Sequence, residues 1–285
     1  MEIRTVAVIG GGLMGRQIAL NTAIYPYEVY LTDSNPEVLK KVKEWEEEYL
    51  AGRIAKGRMT EEQVAGIKAR FHLVDTIEDA VKDADLVIEA VLERKEVKES
   101  VFKQVCEVVR EDAIIATNSS FMVSSEFVDV VTNPARLCNL HYFNPALVMK
   151  LTEIVKGDHT SDETVQAMYD FSNNTGKKPV VINKEIDGFI VNRILSAINQ
   201  EARFLVEEGY CTYEDLDTAC ENGLGHPMGP FRLQDLTGLD LTFDIMNNNY
   251  KKTGKKPTCY DLFKEYCDKG WYGRKTGRGF YDYTK

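Results

Sequence analysis

The sequence predicts an α/β fold in which a doubly wound, mainly parallel β-sheet is followed by an all-helical C-terminal domain. Short runs rich in Val, Ile and Leu alternate with helical stretches up to about residue 183, and after residue 188 the pattern is helical alone. The chain has 285 residues, which is more than one average domain needs. We therefore predict two domains, residues 1–184 and 185–285.

Seven strands are predicted in the first domain. Their near-continuous apolar runs are typical of strands that helices cover on both faces. The predicted strands span residues 4–9, 28–32, 86–91, 113–117, 136–141, 151–155 and 179–182. The predicted helices between them span residues 13–23, 36–50, 96–109 and 162–173. This alternation indicates parallel strands joined by helical crossovers.

Four helices are predicted in the second domain, at residues 189–208, 213–221, 231–250 and 260–269. The first of them carries two apolar stripes, one through Val191 and Leu195 and the other through Ile190 and Ile194. One domain surface covers only one such stripe, so the second stripe predicts contact with another domain or subunit. We expect a homodimer.

Composition excludes several classes of partner. The chain has 35 basic and 45 acidic residues and a net charge of −10, which disfavours nucleic acid and anionic membranes. No apolar run approaches the roughly 20 residues that span a bilayer, and the start lacks a secretory signal pattern, so we expect a cytoplasmic protein. The six cysteines show no C-x-x-C pair and no histidine at zinc-ligand spacing, which predicts free thiols and no metal site.

A glycine-rich turn joins the first predicted strand to the first predicted helix. In the pattern Gly10-x-Gly12-x-x-Gly15, the first glycine allows the tight turn, the second lets the backbone approach a pyrophosphate, and the third permits close packing of helix on strand. The helix N-terminus offers N–H groups to an anion. The candidate cofactor contacts in this turn are Gly10, Gly12, Leu13, Met14 and Gly15.

Asp33 follows the second predicted strand, 18 residues after Gly15. An acidic side chain at this position accepts hydrogen bonds from both ribose hydroxyls and repels a 2′-phosphate, which favours NAD over NADP. The alternative is that Asp33 only begins the turn at residues 34–36.

His141 ends an apolar run, and Glu153 lies on the apolar run that follows the Asn144-Pro145 turn. Because the chain reverses at this turn and returns as a neighbouring extended segment, the two side chains can lie side by side. A neutral imidazole accepts a proton near pH 7, and a carboxylate on its other nitrogen fixes the tautomer. The alternatives are a histidine satisfied at a strand end and a glutamate on the surface.

The chain resembles the L-3-hydroxyacyl-CoA dehydrogenase family, and within it the short bacterial 3-hydroxybutyryl-CoA dehydrogenases. The resemblance runs essentially end to end, through VIGGGLMG, ATNSS, HYFNP, MKLTE, DGFIVNRIL, GHPMGPF and GRKTGRGFYDY. It implies a Rossmann-type NAD-binding domain, a helical C-terminal domain that dimerises and contributes to the acyl pocket, and an acyl-CoA substrate.

The resemblance also implies the roles of individual residues. The family's catalytic residues fall on His141, Glu153, Ser120 and Asn192, and its further NAD contacts fall on Glu93, Lys98, Asn118, Asn144 and Lys275. Its basic loop for CoA falls on residues 52–58, where Arg53 and Lys56 follow the long predicted helix. Phe121 departs from the family's usual second serine. The alternatives for Glu93, Lys98, Lys275 and the basic loop are ordinary solvated charges.

The implied reaction is the interconversion of a short-chain L-3-hydroxyacyl-CoA and its 3-ketoacyl-CoA. His141 then exchanges the alcohol proton while Ser120 and Asn192 hydrogen-bond the substrate oxygen. Two alternatives remain open. One is a related dehydrogenase of free 3-hydroxy acids or sugar acids such as gulonate, and the other is a catalytically silent NAD-binding protein.

Overall fold

The structure is a computed structural model that describes residues 2–284. The chain divides into two compact units, of which the first ends at Ile190 and the second begins at Val191. This division lies six residues after the boundary that the sequence predicted, at Lys184.

The first unit contains an eight-stranded sheet with the order β3-β2-β1-β4-β5-β6-β7-β8. Neighbouring strands are parallel except β6 and β7, which are antiparallel. The strands are β1 (Thr5–Ile9), β2 (Glu28–Thr32), β3 (Phe71–Leu73), β4 (Leu86–Glu89), β5 (Ile114–Thr117), β6 (Leu137–Tyr142), β7 (Leu151–Val155) and β8 (Lys178–Ile182). The mainly parallel sheet predicted from the sequence is confirmed.

Six α-helices accompany the sheet among the residues described for this unit. They are α1 (Leu13–Ala23), α2 (Pro36–Ala55), α3 (Glu61–Arg70), α4 (Ile77–Val81), α5 (Lys95–Cys106) and α6 (Asp162–Asn174). Alternate residues of β1 pack into two separate apolar clusters. Val6 and Val8 belong to one cluster, and Ala7 and Ile9 belong to the other. Both faces of the sheet are therefore covered, and burial of each such valine contributes about 1.5–3 kcal/mol.

The second unit is helical, as predicted. Its helices are α7 (Val191–Glu207), α8 (Tyr213–Gly223), α9 (Pro230–Thr237), α10 (Leu239–Thr253) and α11 (Tyr260–Asp268). Phe231, Phe263 and Phe280 lie in its apolar core. The buried carboxylate of Asp235 on α9 accepts hydrogen bonds from the backbone N–H groups of Phe280 and Tyr281, at 2.9 and 3.0 Å. These bonds fasten the C-terminal segment to α9.

The structure corrects four details of the sequence prediction. The single helix predicted at residues 231–250 is two helices, because Gly238 has a φ of 105° and interrupts the helical backbone. Helix α2 continues to Ala55 and ends before Gly57, whose φ is 63°. The sequence suggested that Arg53 lies in a loop, but the structure places it in the last turn of α2. Strand β3 and helices α3 and α4 were not predicted.

Between residues 2 and 284, no helix is both long and apolar enough to cross a membrane.

Candidate active site

The glycine-rich turn connects β1 to α1 at the carboxyl end of the parallel strands. A Cβ atom on Gly10 would lie 2.6 Å from the carbonyl oxygen of Ala90, and one on Gly15 would lie 1.8 Å from the carbonyl oxygen of Gly10. Packing of the turn itself therefore requires these two glycines. A Cβ on Gly12 would meet nothing within 4 Å. The absence of a side chain at Gly12 leaves open space in which a ligand can approach the backbone.

The N-terminus of α1 is suited to an anion. Gly12 is its N-cap, and this end of the helix has no side-chain cap and no acidic residue in the first turn. Its N–H groups and the positive end of the helix dipole are therefore available to a phosphate. Leu13, in the first turn, is 51% exposed. These features fit the pyrophosphate of a dinucleotide.

Asp33 lies beside the glycine turn. Its Oδ2 accepts a hydrogen bond from the Gly11 N–H at 2.8 Å, and its Oδ1 accepts one from the Asn35 N–H at 2.9 Å. The second bond is the turn contact considered as the alternative, and the first ties the same carboxylate to the glycine turn. A negative charge fixed at this point fits a ribose with a free 2′-hydroxyl and opposes a 2′-phosphate.

His141 and Glu153 are directly opposite each other on the antiparallel strands β6 and β7. His141 Nδ1 lies 2.9 Å from Glu153 Oε2, and the Ile190 N–H donates to Glu153 Oε1 at 3.0 Å. The histidine is 4% exposed and the glutamate is fully buried. Because a carboxylate only accepts hydrogen bonds, Nδ1 carries the hydrogen of the neutral ring and Nε2 presents its lone pair.

Ser120 lies on the other side of the imidazole. Its Oγ is 3.0 Å from His141 Nε2, so the serine hydroxyl donates to the unprotonated nitrogen. The rings of Phe143 and Phe189 flank the imidazole, with centroids 4.6 and 5.4 Å from its own. Ser120, His141 and Glu153 thus form one continuous chain of hydrogen bonds, and the imidazole is held in a single orientation.

Glu93 reaches the loop that carries Ser120. Its Oε1 accepts hydrogen bonds from the backbone N–H of Ser120, at 3.2 Å, and from the hydroxyl of Ser119. Burial alone would raise the pKa of Glu93, but the charge of Lys98 and the Ser119 hydroxyl hold that pKa below its usual value. Glu93 is therefore a carboxylate at neutral pH. It holds the start of the loop formed by residues 118–123, here called the serine loop.

Lys98 is a buried ion-pair partner. It is 1% exposed, and its Nζ donates to Glu89 Oε1 and Oε2 at 2.7 and 2.9 Å and lies 3.1 Å from Glu93 Oε2. The hydroxyl of Thr117 also donates to Glu89, at 2.6 Å. The alternative that Lys98 belongs to a solvated helix face is wrong. Sequence reasoning missed Glu89, although an acidic residue in an otherwise apolar strand is a signal that a buried cation is near.

The two asparagines predicted to contact the cofactor differ in how they are held. Asn118 follows β5, and its Oδ1 accepts a hydrogen bond from the Tyr142 N–H at 2.9 Å. Asn144 is exposed and precedes Pro145 through a cis peptide bond. The segment after Asn144 is held by Lys177, which the sequence did not single out. Lys177 Nζ donates to the carbonyl oxygens of Ala146 and of Met149, the latter at 3.1 Å, and burial lowers its pKa to about 8.

The remaining predicted site residues are in the second unit or at the end of α2. Asn192 is the second residue of α7 in the second unit, and Lys275 in that unit pairs with Asp240 at 2.5 Å. The guanidinium of Arg53 lies 6.0 Å from the ring of Tyr49, and Lys56 is exposed just beyond α2. At 1.5 Å per residue, Arg53 is roughly 26 Å along α2 from Pro36. The basic residues at the end of α2 therefore lie at the opposite end of this helix from the turn that contains Asp33.

Among residues 2–284, no group of three or more His, Cys, Asp or Glu side chains is arranged to hold a metal ion.

An imidazole that a carboxylate orients and whose Nε2 is unprotonated, in the same unit as a dinucleotide-binding turn, is typical of a nicotinamide-dependent alcohol dehydrogenase. Comparison with known proteins narrows this class. Residues 5–186 match the family model described as "3-hydroxyacyl-CoA dehydrogenase, NAD binding domain", and residues 188–283 match the model of the C-terminal domain of the same family. The chain therefore belongs to the 3-hydroxyacyl-CoA dehydrogenase family.

Individual relatives extend over the whole chain. This chain is 36% identical to the probable 3-hydroxybutyryl-CoA dehydrogenase of Bacillus subtilis, over 100% of this chain and 99% of that protein. It is also similar to the crystal structure of (S)-3-hydroxybutyryl-CoA dehydrogenase from Ralstonia eutropha, with 35% identity, full coverage of both chains and a TM-score of 0.89. A solved diketoreductase gives 31% identity and a TM-score of 0.91, over 99% of this chain and 100% of that one.

Proposed function

We propose that this protein is an NAD-dependent dehydrogenase that interconverts L-3-hydroxyacyl-CoA and 3-ketoacyl-CoA esters, with a preference for short acyl chains such as 3-hydroxybutyryl. The observation that carries the proposal is the hydrogen-bonded chain Ser120–His141–Glu153 in the unit that bears the glycine turn. Membership of the family supports the reaction and the cofactor.

His141 is the general base when the alcohol is oxidised. Its Nε2 accepts the hydroxyl proton, and the imidazolium that forms lies 2.9 Å from the buried carboxylate of Glu153, which stabilises it. NAD bound at the glycine turn would supply the acceptor for the hydride of the substrate carbon. In the reverse direction His141 returns its proton to the ketone oxygen. A positioned base of this kind contributes on the order of 10²–10⁴-fold to the rate.

Ser120 binds the reacting oxygen of the substrate. Its hydroxyl already donates toward the point where His141 Nε2 presents its lone pair, so a small rotation directs it to the substrate oxygen. A donor aimed at this oxygen stabilises the negative charge that develops on it during carbonyl reduction. We assign the second donor to Asn192 on the strength of the family resemblance.

Most of the proposed NAD contacts lie in the first unit, which also carries His141. Gly12 and the start of α1 bind the pyrophosphate, and Asp33 binds the adenosine ribose. Glu93, Asn118 and Asn144 lie in or beside segments that follow β4, β5 and β6, where parallel sheets bind their ligands. Lys98 acts through Glu93, because its ammonium group is already shared between Glu89 and Glu93. Lys275 remains an NAD contact by resemblance alone.

Arg53 and Lys56 at the end of α2 bind CoA phosphate groups, since arginine and lysine are the usual partners of phosphate oxygens. The protein acts as a homodimer in the cytoplasm. On α7, Ile194 and Phe204 are 59% and 43% exposed, which supports an apolar face that a second subunit covers.

The test is NADH oxidation with acetoacetyl-CoA by the native chain and by His141→Gln. We expect turnover that falls by at least about 10²-fold in the variant, while NADH affinity is kept. The matched control is His72→Gln, because His72 also pairs with a glutamate, at 2.8 Å from Glu28, on strands β3 and β2. Equal turnover by His141→Gln and the native chain would refute the proposed base.

A second candidate function is reduction of carbonyl compounds that carry no CoA. The similarity to a diketoreductase favours including such substrates in the assay. Turnover of free dicarbonyl compounds or sugar acids with little response to acetoacetyl-CoA would support this alternative. NADH binding without turnover of any of them would instead indicate a catalytically silent NAD-binding protein.

A further inference from the structure

Asn139 connects the strand of the catalytic histidine to the loop of the catalytic serine. It lies on β6 two residues before His141, so both side chains project from the same face of the strand. Asn139 is fully buried, its Oδ1 accepts a hydrogen bond from the Ser124 N–H at 2.8 Å, and its Nδ2 donates to the Met122 carbonyl at 2.8 Å. The loop that follows Ser120 is thereby fastened to β6.

Asn139 ties Met122 and Ser124, in the second half of the serine loop, to the strand that carries His141. The Met122 N–H also donates to Ser119 Oγ, at 2.8 Å. Residues 118–123 form no helix or strand, so the backbone groups there have no regular ladder of hydrogen bonds. Phe121, next to Ser120, is 53% exposed, and the apolar contacts of the loop come after it, from Met122 and Val123. Glu93 holds the start of the loop through Ser119 and Ser120. Asn139 holds its end to β6, and Glu185 accepts hydrogen bonds from the residues just beyond, the Ser124 hydroxyl and the Ser125 N–H, at 2.9 and 2.8 Å.

The amide side chain suits this task. A primary amide has both a donor and an acceptor, so it can satisfy a backbone carbonyl and a backbone N–H at the same time. An apolar side chain of the same size would leave both groups buried without partners, which the loop could relieve only by moving toward water.

We propose that Asn139 is a positioning residue that keeps the Ser120 hydroxyl within hydrogen-bond distance of His141 Nε2. It acts through the loop and does not touch the reacting atoms. The catalytic part of this inference rests on the proposed function. The Ser120 Oγ is 3.0 Å from Nε2, so a displacement of roughly 1 Å breaks the contact, and misplacement on that scale costs about 10²-fold in rate.

The kinetic test is a double-mutant cycle with Asn139→Leu and Ser120→Ala, measured as kcat for reduction of acetoacetyl-CoA. We expect Asn139→Leu to lower kcat by roughly 10- to 100-fold and to leave NADH affinity unchanged. Because Asn139 acts through Ser120, the double variant should be no slower than Ser120→Ala alone. Independent effects that multiply in the double variant would overturn the proposal.

The matched control is Thr160→Val. Thr160 is 4% exposed, and its hydroxyl likewise makes one hydrogen bond to a backbone carbonyl, Leu137 at 2.7 Å, and accepts one from a backbone N–H, Gly157 at 3.1 Å. The Thr160→Val variant removes a comparable pair of buried bonds beside β6, but these bonds go to Leu137 and Gly157 and not to the serine loop. Equal loss of kcat in Thr160→Val and Asn139→Leu would show that Asn139 has only a structural role. If Asn139→Leu does not fold, Asn139→Ala takes its place in the cycle.

A second readout needs no turnover. The chain has four histidines, so the ring signals of His141 can be followed by NMR in histidine-labelled protein and assigned with His141→Gln. In Asn139→Leu, these signals should move to the positions they take in Ser120→Ala, whereas Thr160→Val should leave them in place. Unchanged signals in Asn139→Leu would overturn the proposal. A native chain without turnover would refute the proposed function, and the NMR comparison would still decide whether Asn139 sets the contact.

Discussion

Replacement of Glu153 by glutamine is the most direct test of how the imidazole is oriented. The carboxylate accepts from His141 on one oxygen and from the Ile190 N–H on the other, at 2.9 and 3.0 Å. A glutamine amide has only one acceptor oxygen, so one of these two donors must face an NH₂ group. The substitution also removes the charge that stabilises the imidazolium.

The size of the effect follows from the lost contact. A hydrogen bond to a charged group contributes about 1.5–3 kcal/mol, which corresponds to roughly 10- to 150-fold in rate if the contact is strongest in the transition state. We expect Glu153→Gln to lower kcat with acetoacetyl-CoA within that range or beyond it, since the second donor is also disturbed. NADH affinity, measured by fluorescence, should be unchanged because the glycine turn is untouched.

The control is Glu28→Gln, which removes the carboxylate from the pair between Glu28 and His72, where both side chains are more than a third exposed. This variant should keep native activity. A Glu153→Gln protein that is folded and retains kcat within about two-fold of the native value would refute the reasoning, because the buried carboxylate would then contribute little to the reaction.

The other predictions concern the cofactor turn, the choice of cofactor and the buried lysine. Gly15→Ala should lower the thermal midpoint of unfolding, because its Cβ would lie 1.8 Å from a backbone oxygen, whereas Gly12→Ala should keep the fold and weaken NADH binding in a titration. A Gly12→Ala protein with native NADH affinity would contradict a pyrophosphate at this point. Asp33→Ala should raise the activity with NADPH relative to NADH, and an unchanged ratio would show that this carboxylate does not select the cofactor. Burial lowers the pKa of Lys177 from 10.5 to about 8, so between these pH values the unfolded chain holds a proton that the folded chain has released. The free energy of unfolding of the native chain relative to Lys177→Met should therefore rise with pH across this window, by up to about 3 kcal/mol. Urea titrations in which the two proteins differ by the same free energy of unfolding at every pH would disprove this prediction.

The strands and the pairing of His141 with Glu153 could be predicted because their signals are local. Apolar runs indicated the strands, and the turn at Asn144-Pro145 indicated that His141 and Glu153 return to each other, as the register of β6 and β7 shows. Strand β3 gave no usable signal because it has only three residues at the edge of the sheet. Helix α3 did offer one, the capping box formed by Thr60 and Gln63, which the apolar pattern alone does not reveal.

The supporting residues could not be predicted, because their partners are distant in sequence. Asn139 bonds to the chain 15 and 17 residues earlier, and Lys177 bonds to carbonyls 28 and 31 residues earlier. Nothing in the sequence around Lys177 distinguishes it from a lysine on the surface. Asn139 does interrupt the apolar run of β6, which indicates a buried polar group, but the sequence does not show which groups it bonds to. Glu93 and Lys98 were recognised only through family resemblance. The pairing of Lys98 with both Glu89 and Glu93 depends on how α5 lies beside the end of β4.

The reversal of β7 within an otherwise parallel sheet makes the chemistry depend on strand alignment. Successive residues of a strand point to opposite sides, so a slip of one residue between β6 and β7 would send the Glu153 carboxylate to the far side of the sheet. An insertion or deletion inside either strand would therefore separate His141 from Glu153 even if both residues are retained. A change of length in the connection formed by residues 143–150, by contrast, lies outside both strands and can leave their register intact.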